Sequence, residues 1–144
     1  MTAVPSLPAD PPKSYLAGVR PLALRLSALG FAAFGLWMLV GPLDWYRSVP
    51  GAADSGPFNP HFVRDVGIGY LAMGLALGLA ARLPAAAFPL ALLVAVESLL
   101  HAGLHAGEHL ARGHMLAAGE AAGVFGQAAL AAGLAWWLRP RARR

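Results

Sequence analysis

Four stretches of this sequence are apolar over a length that can cross a lipid bilayer, and this feature constrains the fold most. About 20 apolar residues in a helix cross the hydrocarbon core of a membrane. The predicted spans are about 21–43, 62–81, 85–104 and 115–138. Because lipid offers no water to satisfy the backbone, each segment must pair its own N–H and C=O groups as a helix. The sequence therefore predicts an all-α, polytopic membrane protein with a four-transmembrane-helix bundle.

The composition agrees with a membrane protein and excludes several kinds of site. Hydrophobic residues make up 58% of the chain and charged residues 12%, whereas soluble domains average about 45–50% apolar and 25% charged. There is no cysteine, which excludes disulfides, thiolate metal sites and covalently attached haem. Much of the net charge of +4 comes from arginines behind the last apolar segment. Contact with membrane lipids is therefore predicted, and nucleic-acid binding is not.

The ends of the chain and its basic residues predict how the bundle is oriented. Residues 1–14 are proline-rich and predict a flexible tail before the transmembrane domain of residues 15–138, and residues 139–144 form a basic tail. Eight basic residues fall on the side of the two termini: Lys13, Arg20, Arg25, Arg82, Arg139, Arg141, Arg143 and Arg144. Three fall on the other side: Arg47, Arg64 and Arg112. The positive-inside rule then predicts cytoplasmic termini for a multi-pass protein of the inner (plasma) membrane.

Histidines and carboxylates gather toward the predicted outer end of the third span. Glu97, His101, His105, Glu108 and His109 fall within a stripe about 120° wide, at about 100° per residue. This holds if the helix continues beyond the predicted span. Imidazole and carboxylate are ligands that zinc, copper and iron accept. The predicted metal ligands are His101, His105, His109 and Glu108, completed from other segments by His61 and His114.

Further polar side chains lie inside the predicted spans, namely Arg64, Asp65, Glu97, Glu120 and Gln127. An ionisable group within a bilayer is costly unless it is paired or protonated, and it marks a functional site by default. Glu97 lies about 16 Å from the cytoplasmic end of its span. It predicts either a titrating group of a transporter or a structural hydrogen bond to Ser98 or Gln127.

The glycine, proline and aromatic positions of the first half of the chain resemble a known family. The positions are Gly30, Gly35, Trp45–Tyr46, Pro50–Gly51, Gly67, Gly74 and Arg82. This pattern, over roughly residues 22–82, resembles the small bacterial DoxX-like membrane proteins. The resemblance implies a compact four-helix bundle in a bacterial inner membrane, with some relatives associated with respiratory or sulfur redox chemistry. It implies no catalytic residue, and the histidines of residues 101–114 lie outside the pattern.

Three functions remain open from the sequence. The first is a metal-handling or redox protein that binds zinc or copper, or a non-covalent haem held between His61 and a histidine of the third span. The second is a small proton-coupled transporter component that uses Glu97. The third is an accessory or assembly subunit without chemistry of its own, whose glycine-rich faces dock a larger partner. The histidines of the third span would then be the solvated end of a helix. A homo-oligomer or a larger membrane complex is the expected partner. No serine has the sequence context of a nucleophile, and whether the chain is an enzyme stays open.

Overall fold

Helices make up nearly all of the described chain in this computed structural model, which describes residues 18–113 and 115–140. The α-helices are α1 (Val19–Val40), α2 (Pro42–Ser48), α3 (Pro60–Ala80), α4 (Ala87–Arg112) and α5 (Ala118–Leu138). Two 3-10 turns, Ala53–Ser55 and Pro84–Ala86, precede α3 and α4. The helices α1, α3, α4 and α5 are each long and apolar enough to cross a membrane. The predicted all-α architecture, with four helices long and apolar enough to span a membrane, is therefore confirmed.

The helix ends depart from the predicted spans where glycine and proline interrupt the chain. α1 ends at Val40, and Pro42 then begins the short helix α2, within the end of the predicted first span. Proline lacks an N–H, so it ends one helix but suits the first turn of the next. α4 continues to Arg112 and ends at Gly113, whose φ of 67° is left-handed. All three α4 histidines therefore lie on one continuous helix, as the predicted stripe requires.

Small residues let α1 and α3 pack backbone against backbone. A Cβ atom on Gly35 would lie 2.5 Å from the carbonyl oxygen of Gly67, and one on Gly74 would lie 2.9 Å from that of Ala28. Small residues at such crossings are a common device for close helix approach in membranes. Glycine at positions 35 and 74 therefore permits the close approach of α1 and α3.

The four long helices share one apolar core. α3 contacts both α1 and α4, and α5 packs along α4. Leu24, Leu77, Val94 and Leu134 bring one core side chain from each long helix. Large apolar side chains also face outward, as expected of surfaces that contact lipid. This packing brings the end of α4, the start of α5 and the connection between α2 and α3 together at one end of the bundle.

Candidate metal site

Two histidines of α4 converge on one carboxylate of α5. His105 Nδ1 lies 3.0 Å from Glu120 Oε1, and His109 Nε2 lies 3.1 Å from the same oxygen. An ionised carboxylate can only accept hydrogen bonds, so both imidazoles donate to it. The three potential ligand atoms all lie within 4.8 Å of one another. We call His105, His109 and Glu120 the tight site.

Helix geometry explains why these side chains meet. His105 and His109 are four residues apart, which places them one turn apart on the same face of α4. Glu120 lies in the first turn of α5, where the partial positive charge of a helix N-terminus favours a carboxylate. The chain reverses at Gly113, so the first turn of α5 comes to lie beside the last turns of α4.

The connection between α2 and α3 covers the Glu120 carboxylate. Gly51 has a φ of 84°, and a Cβ atom at this position would lie 2.7 Å from Glu120 Oε2. Pro50 packs in the same way on Gly119, where a Cβ atom would lie 3.0 Å from Pro50 Cγ. The side chain of Glu120 is consequently 5% exposed, while those of His105 and His109 are 24% and 17% exposed. The carboxylate is thus buried and the imidazoles partly accessible.

A cleft opens beside the tight site. Besides the three tight-site residues, it is lined by Gly51, Asp54, Ser55, Glu108 and Arg112. This cleft gives the tight site a route to the surface of the bundle. A metal held by three protein ligands would have its fourth position available to water or a small ligand.

The spacing and chemistry of the tight site suit a transition metal. In a tetrahedral zinc site with bonds of about 2.0–2.1 Å, neighbouring ligand atoms are about 3.3 Å apart. The two N–O distances of 3.0 and 3.1 Å are close to this value. The three ligand atoms together lie within 4.8 Å of one another, so the two ring nitrogens would have to move closer together around one ion. Two histidines and one glutamate form the ligand set of several catalytic zinc sites, and imidazole also suits Cu(II).

One feature of His109 departs from the usual pattern. Metal-binding histidines commonly donate their second ring N–H to a carboxylate or a backbone carbonyl. His109 Nδ1 is buried, and no described residue is within hydrogen-bonding reach of it. Packing, rather than a second hydrogen bond, therefore orients this ring.

The structure brings only part of the predicted ligand set together. His105 and His109 belong to the tight site, and Glu120, predicted as an intramembrane polar residue, supplies its carboxylate. The His101 ring lies one turn away, with its centroid 4.7 Å from that of His105. Glu108 instead pairs with Arg112 at 3.4 Å.

The other two predicted ligands do not join this group in the described chain. His61 is 87% exposed and lies 3.5 Å from Asp65. His114 lies outside the described residues. A haem held between His61 and an α4 histidine therefore gains no support from this arrangement.

The remaining polar residues of the predicted spans lie apart from the tight site and have other surroundings. Gln127 accepts a 2.7 Å hydrogen bond from the Tyr70 hydroxyl and donates a 3.3 Å bond to Ser98, so that it joins α3, α4 and α5. Arg64 donates from Nε to the Leu39 carbonyl at 3.2 Å. Glu97, in contrast, stands on the exposed surface of α4.

Comparisons with known proteins returned no match. Neither the family models, nor the curated proteins, nor the solved structures contain one that matches this chain. The resemblance to DoxX-like proteins stays a prediction.

Proposed function

We propose that this protein binds a transition-metal ion, Zn²⁺ or Cu²⁺, through His105, His109 and Glu120 at one end of its membrane bundle. The observation that carries the proposal is the convergence of three ligand atoms from two helices within 4.8 Å. The distribution of basic residues favours cytoplasmic termini in an inner membrane, so the site would face the opposite side. A metal-handling or redox role follows from such a position.

The burial of Glu120 favours metal binding over the alternative in which the α4 histidines are merely the solvated end of a helix. A carboxylate taken out of water loses its hydration and is retained where protons or a cation compensate for the loss. Here the side chain is 5% exposed, and both of its described polar partners are imidazoles that can bind metal. A solvated helix end would leave the carboxylate and both rings in water.

Metal binding at this site would displace the protons on His105 Nδ1 and His109 Nε2, each of which would move to the other nitrogen of its ring or be released to solvent. His105 Nδ1 and His109 Nε2 must each be free of a proton to coordinate a metal, so the N–H···O bonds to Glu120 would be replaced by bonds to the ion. Glu120 would balance one of its two positive charges. The open position in the cleft would then be available for a ligand or for passing the metal to a partner.

The test is a metal analysis of the purified protein together with a Co²⁺ titration followed by its visible absorption. Wild-type protein should bind metal tightly, and His105→Ala, His109→Ala and Glu120→Gln should each weaken this binding at least 100-fold. His61→Ala is the matched control, because it removes an exposed histidine that pairs with Asp65. A wild-type protein that binds no metal at saturating Co²⁺ would overturn the proposal. So would a Soret band in the purified protein, which would identify haem instead.

A further inference from the structure

α4 presents a continuous row of side chains on the outer surface of the bundle. Its members follow one another at alternating intervals of four and three residues, which is the spacing of the seam of a coiled coil. They are Leu93, Glu97, Leu100, Leu104, Gly107 and Ala111, and all six are exposed. At about 100° per residue, they lie within a sector about 80° wide. We call these six residues the α4 row.

The α4 row has one ionisable member, and it lies in the middle of a span. Glu97 is ten residues after the start of α4 at Ala87, or about 15 Å along the helix, near half the thickness of a bilayer. A comparable exposed row on α1 is apolar throughout, with the members Leu22, Leu26, Leu29, Ala33, Leu36 and Val40. Lipid alone suits the α1 row, whereas a carboxyl group within the hydrocarbon needs a polar partner.

We propose that two copies of this chain pair through their α4 rows, with the two Glu97 carboxyl groups hydrogen-bonded to each other. Two copies with the same orientation in one membrane are related by a two-fold axis along the membrane normal. Their parallel α4 helices then bring each member of the row opposite its own counterpart at the same depth. A foreign helix would need a polar group of its own at this depth, whereas a second copy provides one by symmetry.

A carboxyl group suits such a self-complementary contact. In its protonated form it has one O–H donor and can also accept, so two of these groups satisfy each other with two hydrogen bonds. A pair that has lost one proton is joined by one charge-assisted hydrogen bond. Polar side chains join neighbouring helices in membranes in this way. A single polar residue in an otherwise apolar seam also fixes the register and the number of the helices.

The other members of the α4 row suit the same contact. Leu93 and Leu100 lie one turn to either side of Glu97 and can pack against the facing helix as knobs into holes. A Cβ atom at Gly107 would meet nothing within 4 Å, so the two backbones can approach each other closely at this end. The tight site lies outside the contact, because His105 is about 120° around α4 from the centre of the row. The pairing therefore goes beyond metal binding and does not depend on it.

Disulfide cross-linking of the full chain in membranes tests the contact, because the chain has no cysteine of its own. In Leu104→Cys the two thiols would face each other across the two-fold axis and should form a covalent dimer on mild oxidation with iodine. Leu36→Cys is the matched control, because Leu36 belongs to the α1 row and is 53% exposed, against 59% for Leu104. The α4 variant should cross-link at least tenfold faster than this control.

Energy transfer between full-length chains labelled at the N-terminus and diluted in lipid vesicles tests the carboxyl pair. Glu97→Leu should weaken the dimer about tenfold, because it removes both hydrogen bonds. Glu97→Gln should keep the dimer, because an amide also donates and accepts. The dimer is expected whether or not the protein binds Zn²⁺, and both variants should have the Zn²⁺ affinity of the wild type.

The outcomes separate the contact from the carboxyl pair. Equal cross-linking rates of Leu104→Cys and Leu36→Cys would overturn the α4 contact. So would a cross-link of Leu104→Cys to a different membrane protein, which would identify a foreign partner for the row. A dimer of unchanged affinity in Glu97→Leu, or its loss in Glu97→Gln, would overturn the carboxyl pair. Circular dichroism will confirm that each variant is folded, and Leu100→Cys repeats the cross-linking test if Leu104→Cys fails to fold.

Discussion

Replacing Gly51 by alanine is expected to weaken metal binding at the tight site, although Gly51 supplies no ligand. The new Cβ atom would lie 2.7 Å from Glu120 Oε2, against 3.4–4 Å for an ordinary contact. The closest atom of the carboxylate group, Glu120 Cδ, would lie 2.4 Å from the new Cβ atom. The carboxylate or the loop must therefore move by at least about 1 Å, which exceeds the tolerance of about 0.5 Å for a functional group. Disturbing the support of a metal ligand typically costs about 10–100-fold in affinity, or about 1.4–2.7 kcal/mol. A competitive Zn²⁺ titration with a chromophoric chelator measures this loss.

The matched control for this substitution is Gly56→Ala in the same loop. Gly56 also has a positive φ, of 141°, but a Cβ atom there would meet nothing within 4 Å. Both variants should lose about 1–3 kcal/mol of stability, because alanine disfavours such backbone conformations. Only Gly51→Ala should also lose metal affinity. Equal Zn²⁺ affinities for the two variants would refute the inference that this loop positions Glu120.

Two further predictions concern the bundle, and thermal unfolding in detergent followed by circular dichroism tests both. Gly35→Ala should destabilise the fold by about 1–3 kcal/mol, because the added methyl group forces α1 away from the α3 backbone. The control Gly30→Ala should leave the stability unchanged, because a Cβ atom there meets open space. Equal losses of stability in the two variants would contradict the close packing of α1 and α3. Gln127→Leu should cost about 1 kcal/mol by removing its bonds to Tyr70 and Ser98, at about 0.6 kcal/mol for each hydrogen bond within a membrane. Zn²⁺ affinity at the tight site should stay unchanged in this variant, since Gln127 lies about 10 Å along α5 from Glu120. A tenfold loss of Zn²⁺ affinity would show that the hydrogen bonds of Gln127 are coupled to the tight site.

The four spans could be predicted from the sequence because hydrophobic length is a local property. The ends of the spans were predicted less accurately, since the residues that cap each helix decide where it stops. At Gly41–Pro42 the chain begins the short helix α2 before the predicted first span is complete. At Gly113 it ends a helix that runs eight residues past the predicted third span.

The α4 half of the tight site was also predictable, whereas its α5 half was not. Spacing along one helix places His105 and His109 on a common face without knowledge of any other element. Glu120 reaches them only because of the turn at Gly113 and the register of α5 against α4, which depend on packing between helices. Its position seven residues before Gln127 showed that both share a face of α5, but not that this face meets the histidines.

The predicted ligands that do not join the tight site also show that spacing along one helix does not reveal contacts with other elements. His61 and Glu108 belong to the same end of the bundle as the tight site, yet each has a nearer partner on its own helix. Asp65 and Arg112 are those partners, both at a spacing of four residues. A helical stripe of polar residues thus indicates which side chains share a surface, but it does not identify the side chains that converge.

X-ray absorption spectroscopy of the Zn²⁺-loaded protein at one equivalent tests the central claim most directly. The account predicts a first shell of nitrogen and oxygen at about 2.0–2.2 Å, with outer-shell scattering from two imidazoles. Glu120→Gln should alter that shell, and His61→Ala should leave it unchanged. A shell without imidazole scattering, or one that is identical in wild type and in a His105→Ala, His109→Ala double variant, would contradict the tight site.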